Sequence, residues 1–169
     1  MPLDISTITN DEVIRIAIRL EEDGIQFYKA ASEKAHSKHL RDVLNLLAGH
    51  EAEHKSTFQA LAREVGADLS ARHHSRSISP ENLQALTEAG VFPRPEEWDS
   101  AIASLHSAAQ ALRFGIKVEQ GSIAFYESAA RAAMSDDVRE TFNRILAQER
   151  QHVRLLTAEL KAHKATSLP

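Results

Sequence analysis

Not one cysteine occurs among the 169 residues. Disulfides, thiolate nucleophiles, Cys-ligated zinc and iron–sulfur clusters are excluded with it. Excess positive charge is missing too: the formal net charge is -4, with both signs mixed along the chain. Nucleic-acid binding usually needs a basic face, so no nucleic-acid partner is expected. The one basic cluster, Arg72, His73, His74 and Arg76, is short and reads as a solvated loop. No apolar run approaches the ~18 residues that would span a membrane. The segment Met1–Thr7 lacks the basic stretch and apolar run of a secretory leader. A cytoplasmic protein with no membrane partner is the expectation.

What the chain has is helical period. Apolar residues make up 43% and recur at spacings of three and four over four long segments, with no sustained alternation of period two. The segments run from about Asp11 to Ala35, Lys38 to Val65, Asp99 to Ala133 and Asp136 to Ala162. Asn10 is the expected N-cap of the first, with Asp11 and Glu12 in its first turn. Adding 98 to a residue number in the first pair lands on its counterpart in the second: Glu21 on Glu119, Phe27-Tyr28 on Phe125-Tyr126, Ser37 on Ser135, Arg41 on Arg139, Asn45 on Asn143, Glu51 on Glu149 and His54 on His152. About 13 of 45 positions are identical without a gap. The pattern predicts one all-α domain built from two pseudo-two-fold αα-hairpins, at about 11–65 and 99–164. The crossover between them, 66–98, is long enough to traverse the bundle. It carries a short helix opened at Ser79-Pro80-Glu81 and closed at Gly90.

Charge sits where the core should be. The inward stripe of the second segment reads Leu40, Leu44, Leu47, Glu51, His54, Phe58, Leu61, Val65. That of the third reads Ile102, Leu105, Ala109, Leu112, Ile116, Glu119, Ile123, Tyr126. Glu21 interrupts the first stripe, and Glu149 and His152 the fourth. Glu21 and Glu51 lie 15 residues either side of the turn at His36, and Glu119 and Glu149 lie 15 either side of Met134. At a rise of ~1.5 Å per residue all four carboxylates share one level, with each histidine one turn further along. Unpaired buried carboxylates cost several kcal/mol each, and no Lys or Arg shares these positions. Two divalent cations would balance the four negative charges.

This ligand pattern is that of ferritin-like di-iron or di-manganese carboxylate bundles. Within them the chain resembles the rubrerythrin family, through Ala-Ile-Arg-Leu-Glu-Glu-Asp-Gly-Ile-Gln-Phe-Tyr (17–28) and His-Glu-Ala-Glu-His-Lys (50–55). Looser echoes lie at 115–126 and 148–153. The resemblance covers the four helices and implies a ferritin-like four-helix bundle. It implies two metal ions per chain, iron or else manganese, bridged by Glu51 and Glu149. Glu21 and Glu119 would be terminal ligands, and His54 and His152 would cap one metal each. Tyr28 and Tyr126, two turns past Glu21 and Glu119, either hydrogen-bond those carboxylates or serve as core aromatics. Two features depart from the family. There is no Cys-ligated rubredoxin domain, so electrons must come from a separate donor protein. Ser122, matched by Gly24 in the first half, stands where the family commonly has an extra Glu.

The reaction implied is reduction of H₂O₂ or O₂ with oxidation of Fe(II). Alternatives are an iron-storing ferroxidase, a manganese catalase-like site and a structural metal in an interaction module. Storage bundles often carry a fifth short helix, and only a few residues follow the fourth segment here. Asn45 and Asn143 read as structural, and His36, His39, His50, His106 and His163 as surface or packing residues. A second apolar stripe, Leu146, Val153 and Leu160 with Ile16, Leu20 and Phe27, predicts a homodimer.

Overall fold

Four helices account for nearly all of the residues described in the structure, a computed structural model covering 9–35, 37–67 and 107–166. They are α1 (Asn10–Lys34), α2 (Lys38–Glu64), α3 (Ala108–Ala132) and α4 (Asp136–Thr166). No strand occurs among the described residues, and no helix there is long and apolar enough to cross a membrane. The crossover's short helix, its basic cluster, His36, His106 and the stripe positions Ile102 and Leu105 lie outside the described residues.

The repeat seen in the sequence is built into the two turns. Ser37 caps α2 by accepting the Leu40 N–H at 3.1 Å, and Ser135 accepts the Val138 N–H at 3.4 Å at the start of α4. Arg41 reaches back to the Ala35 carbonyl at 3.1 Å, and Arg139 to that of Ala133 at 3.0 Å. Each turn thus satisfies backbone groups that a helix end leaves unpaired, with the same pair of residues. Asn45 and Asn143, by contrast, are exposed.

Three boundaries differ from the sequence reading. The N-cap of α1 is Thr9 and not Asn10. Thr9 accepts the Glu12 N–H at 3.3 Å while the Glu12 carboxylate accepts the Thr9 N–H at 2.9 Å, a reciprocal box that outcompetes Asn10. Helix α3 begins at Ala108 and not near Asp99, because Ser107 is extended (φ -145°, ψ 155°) and caps the Gln110 N–H. Val65, expected inward, is exposed as the cap of α2. Gly66 then turns at φ 71°, and its N–H and that of Ala67 close on the carbonyls of Arg63 and Ala62.

Two apolar cores form, one towards each end of the bundle. In one, Val13, Ile14, Ile16, Ala17 and Leu20 of α1 pack with Phe125, Tyr126, Ala129 and Ala130 of α3, Phe58 and Leu61 of α2, and Phe142 and Ile145 of α4. In the other, Phe27, Tyr28 and Ala31 meet Leu112, with Leu40, Leu44 and Leu47 of α2 and Leu156 of α4. The start of α1 therefore lies beside the end of α3, and the two run antiparallel. Of the stripe expected to face a second chain, Val153 and Leu160 are half-buried. Ile16, Leu20, Phe27 and Leu146 are buried within the single chain, because α1 packs on α3 as well as on α2 and so needs a wider apolar face.

Equal turns should contribute equally to stability. Ser37→Ala and Ser135→Ala are each expected to lower the unfolding free energy by about 1 kcal/mol in urea melts. A loss at one turn only would show that the two are not equivalent.

Candidate metal centre

Between the two cores lies a polar layer. Glu21 comes from α1, Glu51 and His54 from α2, Glu119 from α3, and Glu149 and His152 from α4. All six are between 1% and 4% exposed. They fall into two overlapping groups, Glu21, Glu51, His54, Glu149 and Glu51, Glu119, Glu149, His152. Within each group one donor atom per residue lies within 4.8 Å of the others. Glu51 and Glu149 are common to both. The structure thus brings together all six residues singled out in the sequence.

Each histidine turns its Nδ1 to the carboxylates. His54 Nδ1 is 3.0 Å from Glu149 and 3.5 Å from both Glu21 and Glu51. His152 Nδ1 is 3.0 Å from Glu149, 3.2 Å from Glu51 and 3.5 Å from Glu119. The His152 Nδ1 contact with Glu149 is a hydrogen bond, but not every close approach is one. Glu21 Oε2, Glu51 Oε1, Glu149 Oε1 and His54 Nδ1 are buried with no aligned hydrogen-bond partner. Leaving such an atom unpaired costs about 1–3 kcal/mol, and more when it is charged.

One oxygen of each outer carboxylate, Glu21 and Glu119, is held from across the bundle. The Tyr28 hydroxyl on α1 donates to Glu119 on α3, and the Tyr126 hydroxyl on α3 donates to Glu21 on α1. Of the two readings open for these tyrosines, the hydrogen bond to carboxylate is the one found. It crosses between hairpins, which antiparallel α1 and α3 make possible. Burial foremost, then the negative charge of Glu119 for Tyr28 and of Glu21 for Tyr126, push both phenols well above their ordinary range. Both therefore remain donors.

Glu51 has its place because Gly24 has no side chain. A Cβ built on Gly24 would lie 3.2 Å from Glu51 Cγ, so α1 is notched where this carboxylate enters. At the matched position in α3, Ser122 donates to the Val118 carbonyl of its own helix at 3.4 Å. Neither position brings a seventh carboxylate.

One residue of this neighbourhood was read otherwise in the sequence. His50, taken as a surface or packing residue, is half-buried and sets its Nδ1 3.1 Å from His152 Nε2. Its spacing four residues before His54, which puts it on the same face of α2, was the available signal. His50, Glu53, His54, Gln148, Gln151 and His152 line a cleft of about 340 Å³ that opens between α2 and α4 onto the two imidazoles. His39 is exposed and pairs with Glu159 at 3.0 Å.

With this geometry in hand, comparison with known proteins is decisive at one level. The sequence matches the family model of rubrerythrin over residues 12–160. The chain belongs to the rubrerythrin family. No curated protein matches it. Among solved structures it is similar to a Thermotoga maritima protein assigned as ferritin-like diiron-carboxylate, with 22% identity and a TM-score of 0.66. The match covers 91% of this chain and 95% of that one. At that identity the likeness is one of fold.

The electrostatics of this rubrerythrin-family core follow from burial. Burial first, then the charge of Glu51, raise Glu21 well above the ordinary carboxylate range; Glu119 is raised by burial and by Glu51 and Glu149. Burial would raise Glu51 too, but hydrogen bonds with Glu21, His152 and His54 outweigh it and hold Glu51 low. Glu149 is also lowered, by His152 and His54 against its own burial. Burial opposes charge on the imidazoles, yet the close carboxylates of Glu149, Glu21 and Glu51 raise His54 far above its usual range. Glu119, Glu149 and Glu51 push His152 up to about 12. Without cations these shifts favour charge on Glu51, Glu149, His54 and His152 and protons on Glu21 and Glu119.

The sign of the pH dependence follows. A histidine whose folded pKa is raised contributes stability fully present below its unfolded pKa of about 6.5, and lost as pH rises towards the folded value. Chelator-treated protein is expected to melt at a lower temperature at pH 9 than at pH 6. A higher melting temperature at pH 9 would mean that the imidazoles are neutral in the metal-free core.

Proposed function

We propose that the six buried residues hold two divalent cations, iron in the first instance, and that the pair reduces H₂O₂ or O₂ with electrons from a separate donor protein. The observation that carries this reading is the pair of overlapping four-residue groups sharing Glu51 and Glu149, with unpaired buried atoms in both shared carboxylates. Glu51 and Glu149 would bridge, Glu21 and His54 would complete one set, and Glu119 and His152 the other. Two divalent cations offset the four carboxylates once the layer's protons leave. Membership of the rubrerythrin family and the diiron-carboxylate description of the T. maritima protein agree with this. Oxygen and imidazole donors suit iron and would also accept manganese.

When bound, such a pair supplies redox chemistry: reduction of H₂O₂ to two waters consumes two electrons and two protons. The protein's own part is positioning. Tyr28 and Tyr126 each fix one oxygen of a terminal carboxylate, and in Glu21 the other oxygen faces His54. Gly24 admits Glu51 to the shared position. The two apolar cores exclude bulk water above and below, so a small oxidant reaches the layer through the cleft between α2 and α4. Four protons sit on Glu21, Glu119, His54 and His152 in the metal-free state, and cation binding displaces them.

An anaerobic Fe(II) titration of the metal-free protein is expected to saturate at two ions per chain, releasing about four protons near neutral pH. Subsequent oxidation by H₂O₂ should be faster than by O₂, and Glu149→Ala should abolish binding of both ions. Saturation without oxidation would leave a structural metal. Failure to bind would remove the metal reading altogether.

A further inference from the structure

The two halves of the polar layer are not equally supported. His152 lies near-parallel to two rings of α2, with centroids 5.4 Å from His54 at 18° and 5.2 Å from His50 at 12°. Its Nδ1 faces Glu149 and Glu51 at 3.0 and 3.2 Å, and its Nε2 faces His50 Nδ1 at 3.1 Å. A ring nitrogen that binds a cation must be free of its proton, so a neutral imidazole bound through Nδ1 carries the proton on Nε2. For His152 that proton points at His50 Nδ1, which accepts it and leaves the His50 proton on its own Nε2. The contact fixes both the tautomer and the ring orientation needed for Nδ1 to be a donor.

The internal repeat fails at this point. The residue 98 positions after His50 is Gln148, which is exposed and makes no hydrogen bond to His54 among the described residues. Six donors obey the two-fold and the support behind them does not.

We propose that His50 is a positioning residue that holds His152 for its cation, so that the two cation positions of this chain differ in affinity, the one beside His152 being the tighter. This rests on the two-cation reading above. Supporting hydrogen bonds behind a ligating histidine are worth about 10–100-fold in metal affinity, which sets the expected gap between the two positions.

Anaerobic Co(II) titration of the full chain, followed by visible absorption and calorimetry, tests it. The unmodified protein should bind two Co(II) in resolved steps. His50→Ala should weaken the tighter step by about 10–100-fold and leave the other in place. His50→Asn, whose side-chain oxygen can stand where Nδ1 accepts, should recover most of the loss. Gln148→Ala should leave both steps unchanged, with circular dichroism showing each variant folded. Unchanged steps in His50→Ala, an equal loss in Gln148→Ala, or a loss that His50→Asn does not recover would each overturn the proposal. Should the unmodified protein bind no Co(II), the two-cation reading fails first, and this inference with it.

Discussion

Four carboxyl groups and two imidazoles occupy one layer of this bundle, none more than 4% exposed. Removing an ionised carboxylate from water costs several kcal/mol even after relaxation. Every other feature of the middle of the molecule answers that cost. Two tyrosines donate to the outer carboxylates, one glycine makes room for a central one, and the two histidines approach all four. Without cations, protons close the charge balance. With two divalent cations, the same residues close it with metal. On the two-cation reading proposed above, the layer would be neutral in either condition.

The apolar cores on either side supply the stability that such a layer consumes. Aromatic rings concentrate there: Phe58, Tyr126 and Phe142 meet with centroids 5.1–5.7 Å apart at one end, and Phe27, Tyr28 and Phe114 gather at the other. Tyr28 and Tyr126 belong to both worlds, with rings in the apolar cores and hydroxyls on the carboxylates. Because each reaches to the opposite hairpin, the polar layer ties the two halves together. The weaker contact in the bundle, between hairpins, is where the site binds it.

Most of this was legible because charge broke a hydrophobic stripe at positions matched by a constant offset. Glu21, Glu51, His54, Glu119, Glu149 and His152 stood out by burial that their chemistry should forbid, and one turn of arithmetic put them at one level. What the sequence concealed was lateral. Period fixes the face of a helix and says nothing of which neighbour that face meets. Hence the stripe of Ile16, Leu20 and Phe27 looked free when it packs against α3, and His50 looked peripheral when it touches a ring on α4. The ends of α1 and α3 were misplaced for a local reason. Thr9 and Ser107 offer side-chain acceptors that periodicity does not weigh. The tyrosines fell between: their type and spacing allowed two roles, and the antiparallel pairing of α1 with α3 lets them fill both.

The centre of the account is that two cations share Glu51 and Glu149. Anomalous scattering at the iron edge, from crystals grown with Fe(II) under anaerobic conditions, tests this most directly. The account predicts two peaks per chain in the polar layer, both within bonding distance of Glu51 and Glu149, one beside His54 and one beside His152. A single peak, or peaks confined to the protein surface, would contradict it and leave the layer as a proton-balanced core.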